Sequence, residues 1–348
     1  MKPVTDPIQP AQAADALAAA TAATDGALSR RHLMVAAAAA AVAPLMARAA
    51  DFPEKPVTFI CPWPAGGTAD QTMRALCVAA ARELGQPVAV ENKVGASGMI
   101  GLRAMAAARP DGYTIGQIPI SITRFSQLGS VPLNPLTNLS YIARTSGQTF
   151  GVACQAGAPW KSIQELVAFA KANPDKVTYA HAGIGGATHV GMEEFAMAAG
   201  IQLRHVPYKG GADALTGLLG GQVDLLADSS SWAPHVLAGK LRLLATWGEQ
   251  RTQQFKDVPT LKDAGYNVVV DAPNGIGAPK GVPPAVLARL RTAFRAAVAS
   301  AEFKAACDKI DAPVLYLDGD DYEKYVASVY RKETQLIERL KLRELMKS

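Results

Sequence analysis

The chain has 348 residues, of which 49% are hydrophobic and 19% charged, with a formal charge of +5. That much apolar material excludes wholesale disorder, and the length suits two domains. The basic residues are scattered, with no dense Lys/Arg block, which argues against a nucleic-acid partner.

The first residues are polar and Ala-rich, without a core pattern. SRRHLM (Ser29–Met34) then leads into a weakly apolar run, Val35–Met46, which ends in ARAA (Ala47–Ala50). A basic region, an apolar core of this length and a small-residue site together predict a signal peptide over residues 1–49, cleaved after Ala49. The run is shorter than the ~20 residues a bilayer span needs. The paired Arg30 and Arg31, the long leader and Arg48 in the cleavage region predict the twin-arginine route. The expected location of the mature chain is the periplasm.

After the leader, strand-like runs alternate with helical patterns. VTFIC (Val57–Cys61) reads as a buried strand, and Met73, Leu76, Cys77, Ala80 and Leu84 recur at helical spacing before Gly85. PVAVEN and YTIGQIPI read as the next strands. The pattern restarts after Thr145: TFGVAC, a helix opened by the Ser162–Glu165 capping box, VTYAHA, a helix over Thr188–Ala199, LRHVPY, VDLLAD and LRLLAT. From Pro283 the chain reads as mainly helical, with a strand at VLYL (Val314–Leu317). Alternation of this kind predicts an α/β fold with mostly parallel sheets, and the repeated set predicts two lobes. Lobe 1 is expected over residues 50–152 and 273–348, and lobe 2 over 153–272.

Two glycine-bearing turns carry the chemistry. PWPAGGTAD (Pro62–Asp70) joins a strand to a helix, so its glycines admit a ligand to the backbone and the helix start offers unpaired amides to an anion. Asp70 lies in the first helical turn, either capping it or bonding a ligand's donors. HAGIGGATH (His181–His189) occupies the matching place in lobe 2. Two helix starts facing one cleft would grip a carboxylate from both sides. His181 and His189 have no carboxylate or cysteine neighbour to complete a metal set, so no metal is expected. Tyr208 and Lys209 in HVPYKGGADAL, and Asp228, Ser229 and Ser230 in DLLADSSSW, are polar candidates at the lip where α/β sites lie. VGASGMIG (Val94–Gly101) fits no phosphate-loop spacing and reads as a place of close loop packing. No G-x-S-x-G, H-E-x-x-H or other nucleophile–base pair occurs, so neither catalysis nor a cofactor is expected. The four cysteines form no C-x-x-C pair and read as buried thiols, with a disulfide as the alternative.

From Phe52 to near its C-terminus the chain resembles the tripartite tricarboxylate transporter receptors, the Bug-type solute-binding proteins. The resemblance rests on FPEKPVTFICPWPAGGTAD, GQPVAVENKVGASGMIG, PDGYTIG, HVPYKGGADAL and AGKLRLLAT, in that order and spacing. It implies a two-lobe periplasmic binding fold, type II-like, with a central cleft and no catalysis. It implies a small organic acid as ligand and membrane transporter subunits as partners, with the receptor itself a monomer. It places the ligand carboxylate on the first turn, at Ala65, Gly66, Gly67 and Thr68. The second turn, around Gly183, Gly185, Gly186, Ala187 and Thr188, is implied to do the same, with Asp228 at the acidic strand end. Where His181 stands that family usually has serine, so an imidazole here could read a second carboxylate or an aromatic ring. The same fold would also serve a ligand-sensing partner of a membrane signalling protein, or a periplasmic α/β enzyme.

Overall fold

The computed structural model describes residues 52–270 and 272–345. The expected leader lies outside them. In the first half, the buried run Val57–Cys61 (β1) leads to helix Thr68–Leu84 (α1), whose apolar positions pack inward and whose end is set by Gly85 at φ 76°. Val88–Asn92 (β2), Met99–Ala106 (α2), Thr114–Ile118 (β3), Ile122–Gln127 (α3) and Leu139–Gly147 (β4) follow.

The second set starts at Gly151–Gln155 (β5) and continues with Ile163–Ala172 (α4), Thr178–His181 (β6) and Ala187–Ala199 (α5). Arg204–Pro207 (β7), Gly211–Leu219 (α6), Leu225–Asp228 (β8) and Leu241–Thr246 (β9) complete it. At the start of α4 Ser162 Oγ accepts from Glu165 N at 3.2 Å, as the box requires, while Glu165 Oε2 reaches one residue further back, to Lys161 N at 2.7 Å. Pro273–Pro279 (β10), Pro284–Ala299 (α7), Ala301–Lys309 (α8), Leu317–Asp318 (β11) and Gly319–Arg339 (α9) return to the first set.

Two sheets result. The first has the order β11-β4-β10-β3-β1-β2, and the second β7-β6-β8-β5-β9. Each is mixed, which departs from the mostly parallel sheets expected. β1 pairs parallel with β2 and β3, and β6 with β7 and β8. The strands next to the crossings, β4, β5, β9 and β10, pair antiparallel. The chain runs straight out of β4 into β5 of the other sheet, and that passage places through-running strands beside the βαβ units. The crossing falls at residues 148–150, ahead of the 152/153 boundary expected from the sequence. The return is marked by β10, which starts at Pro273. The late strand is two residues, Leu317–Asp318, not VLYL, and pairs with β4 only at Arg144 and Ala143.

Each sheet buries apolar side chains on both faces. Phe59, Phe294 and Phe303 fill one face of the first, and Tyr141, Ile118 and Tyr322 the other. Tyr179, Phe195 and Trp247 fill one face of the second, and Trp232, Leu226 and Leu218 the other. Every such side chain taken out of water contributes roughly 1.5–3 kcal/mol. The four cysteines are buried and free, and burial pushes the Cys61 thiol up to about 12. Among the described residues no helix is long and apolar enough to cross a membrane.

Candidate functional site

The first turn is shaped by its own hydrogen bonds. Gly66, at φ 83°, takes a conformation that disfavours any Cβ, and its amide donates to Asp70 Oδ2 at 2.9 Å. Asp70 also accepts from Arg74 Nε at 2.9 Å and Asn92 Nδ2 at 2.7 Å. Burial alone would raise this carboxyl, but Arg74, Asn92 and the Gly66 amide outweigh it and hold it below the usual carboxylate range. Asp70 therefore fixes its own turn, and Ala65 and Gly66 lie on the exposed outer side. The amides of Thr68, Ala69 and Asp70, at the start of α1, find no partner among the described residues. Thr68 Oγ1 is buried and likewise unpartnered.

The second turn is braced from behind by histidines. Gly183 N donates to His181 Nδ1 at 3.2 Å and Gly185 N to His189 Nδ1 at 3.0 Å, while Gly186 N bonds Gly183 O at 3.1 Å. Ala182 N is taken by Thr188 Oγ1 at 3.1 Å. The amides of Gly183, Gly185 and Gly186, expected from the sequence to face an anion, are thus engaged within the turn. Those of Ala187, Thr188 and His189, at the start of α5, find no partner among the described residues.

His181 and His189 are fully buried and meet a third imidazole, His205 of β7, with one nitrogen from each ring within 4.8 Å of the others. Sequence spacing offered no third donor for a metal, and the fold supplies one. The donor geometry is nevertheless poor for a metal. A ring nitrogen binds through a lone pair in its ring plane, and His181 and His189 are stacked 4.4 Å apart at 20°, so their lone pairs run side by side. The Gly183 and Gly185 amides occupy both Nδ1 atoms and leave the ring protons on Nε2. His181 Nε2 then donates to His205 Nδ1 at 3.3 Å. Burial first, and then His205, push His181 down to about 3, and burial with the neighbouring rings puts His189 near 2. Both rings are neutral supports of the turn, and His181, which the sequence offered to a ligand, lies behind the turn and does not line the cavity between the helix starts.

The two helix starts line one cavity, at Gly67, Thr68 and Ala69 on one side and Gly186, Ala187 and Thr188 on the other. Asp228 and Ser229, at the end of β8, complete its polar wall. Asp228 is 3% exposed. Burial pushes its carboxyl up to about 6 against the bonds from Ser231 and Ser229. No Lys or Arg lines this cavity among the described residues.

Sequence reasoning missed several wall residues. Trp63 and Phe150 bring aromatic surface, and Gln117 and Gln148 reach in from β3 and the crossing. Trp63 Nε1 and Gln117 Oε1 are buried without partners. Trp63 lay inside the first motif, and Gln117 is the one polar residue late in an apolar strand. Gln148 and Phe150 carried no signal, because only the passage between sheets brings them here. Tyr208 lies elsewhere. Its hydroxyl bonds Gln222 at 3.2 Å, and with Lys209 it lines a second hollow beside Gly95–Ser97 and Ile184.

Comparison with known proteins agrees with this architecture. The chain is 40% identical over 323 residues to the "UPF0065 protein in gbd 5'region" of Cupriavidus necator, covering 90% of this chain and 99% of that protein. The structure titled periplasmic binding protein BugD superposes with TM-score 0.80 at 31% identity, over 84% of this chain and 99% of that one. MatC from Rhodopseudomonas palustris, solved with bound malate, superposes with TM-score 0.73 at 25% identity, over 84% of this chain and 100% of that one. This family and fold are those of solute-binding receptors, not of enzymes. Residues 72–342 match the model of the tripartite tricarboxylate transporter family receptor, and the chain belongs to that family.

Proposed function

We propose that the chain is a periplasmic receptor that closes over a small organic acid, holds its carboxylate at the starts of α1 and α5, and hands it to the membrane subunits of a tripartite transporter. The observation that carries this reading is the pair of helix N-termini facing one cavity. Each offers unpartnered amides and a partial positive charge, and among the described residues no basic side chain lines the cavity to compete for the anion. Thr68 Oγ1, Trp63 Nε1 and Gln117 Oε1 supply further polar atoms in want of a partner. The bound malate of MatC supports the same ligand chemistry. Asp228, acidic and buried in the same wall, favours an acid that also carries a hydroxyl or other donor. Delivery to a transporter follows the family description, and the periplasmic location follows the leader pattern at residues 29–50.

The test is thermal unfolding with L-malate and with its diamide, alongside mass spectrometry of acids released from natively purified protein. Ligand at 100 times its Kd adds about 2.7 kcal/mol to stability. The recovered acid should raise Tm and its amide should not. Equal stabilisation by acid and amide would refute carboxylate recognition.

A further inference from the structure

Lobe 2's turn is gripped from outside the cavity by side chains of the first sheet's lobe. Ser97 Oγ donates to Ile184 O at 2.9 Å, and Arg124 Nη1 donates to Gly185 O at 2.8 Å. Two successive carbonyls of the turn are thereby fixed from across the lobe interface. Ser97 belongs to the VGASGMIG loop, where Ala96 and Ser97 both take positive φ, 47° and 51°. That backbone is unfavourable for residues with a Cβ, and here it carries the hydroxyl across the interface.

Arg124, on α3, is 5% exposed. Its Nε and Nη2 donate to Glu333 Oε2 and Oε1, both at 2.8 Å, and Glu333 of α9 is 6% exposed. A guanidinium is a rigid fork, so a carboxylate that takes one edge fixes where the remaining N–H bonds point. The Glu333 pair joins two elements of the first sheet's half, so a separation of the lobes would leave it intact, whereas the Arg124–Gly185 bond crosses the interface and would break. The seam continues along α5, where Val190 packs against Ile337 and Leu342 and Glu194 pairs with Arg339.

We propose that Arg124, aimed by Glu333, is a closure latch: it holds the Gly185 carbonyl when the lobes shut and so positions the α5 amides over the cavity. It is a positioning residue, since it does not line the cavity. The latch rests on the two-lobe receptor reading but not on the ligand's chemistry, and its test uses no ligand.

A Cβ built on Gly186 lies 3.6 Å from Ser97 Cβ, within the span of a disulfide; Gly186 has φ −69°, which any residue adopts, and the turn must yield by a few tenths of an ångström where that Cβ meets Gly183 O at 3.0 Å. The pair Ser97→Cys/Gly186→Cys reports closure as the rate of cross-linking in oxidised glutathione, read by mass and gel mobility. The four native thiols are buried and stand aside. Into that background go Arg124→Met and Glu333→Leu together, an apolar exchange that leaves no unpaired buried charge. Tm and circular dichroism should hold while cross-linking slows at least tenfold. Glu333→Gln, which still offers the fork an acceptor, should stay within threefold of the parent. If the apolar pair loses the fold, Arg124→Lys decides the matter: it keeps a charge for Glu333 but has no second arm for Gly185, and it should be slow. A parent that fails to cross-link, or latch variants that cross-link as fast as the parent, would overturn the latch.

Discussion

Replacing Asp228 with Asn should stabilise the ligand-free protein above neutral pH. The Asp228 carboxyl is buried in the cavity wall, and burial lifts it from 3.8 to about 6. An acid raised in the folded state costs stability once it must ionise there. The cost is complete above about pH 6 and disappears as pH falls below about 4, where both folded and unfolded chains are protonated. At 1.36 kcal/mol per pH unit the gap amounts to roughly 3 kcal/mol. Asn keeps an oxygen to accept from Ser231 Oγ but turns an amino group toward Ser229, and that lost bond costs about 1 kcal/mol. The net gain of about 2 kcal/mol corresponds to a Tm increase of roughly 4–8 °C at pH 7.5. Tm of both proteins is to be followed from pH 7.5 to 4. Other titrating groups are common to both and cancel in the difference. A difference in Tm that does not change with pH would refute the buried-carboxylate argument.

Two further substitutions separate the cavity from its supports. Gly67→Val adds a side chain whose Cβ meets only Pro64 O, at 3.5 Å, on a backbone that tolerates it at φ −72°. Its Tm should fall by no more than ~4 °C, from about 1 kcal/mol at 2–4 °C each, while the thermal shift given by the recovered acid is lost; retained binding in calorimetry would clear the first turn of any role. The histidines behind the second turn act in the opposite sense from Asp228. A base lowered in the folded state contributes stability above its unfolded value of 6.5, and loses it as pH falls toward the folded one, about 3 for His181 and about 2 for His189. Each should cost about 1.4 kcal/mol per pH unit on acidification below 6. In His189→Gln the amide oxygen can still accept from Gly185, and the pH slope of urea stability should shrink by one proton. An unchanged slope would show that His189 is not held neutral.

The alternation of strands and helices was legible because each element carries its own period, as in α1, where every position the spacing picked out is buried. Strand direction was not legible. β10 follows the second sheet in sequence but inserts between β3 and β4, and nothing local to PNGIGAP encodes that. At the site, both glycine turns could be found because they combine a strand end, a left-handed glycine and a helix start. Which of their amides are free was hidden. That depends on Asp70 taking Gly66, and on two imidazoles taking Gly183 and Gly185. His205 stands 16 residues beyond His189 and joins it only because β7 pairs with β6.

The insertion of β10 between β3 and β4 also dictates an order of assembly. All five strands of the second sheet lie within residues 151–246, so that half has its full set of partners once a continuous stretch has left the ribosome. The first sheet lacks its central β10 until the chain has passed residue 279, and until then β3 presents one unpaired edge and β4 two. Its contacts span large sequence separations, the kind that close slowly. A nascent chain past residue 246 therefore holds a fully paired second sheet beside an unfinished first one, and the open edges of β3 and β4 are where premature association between chains would start.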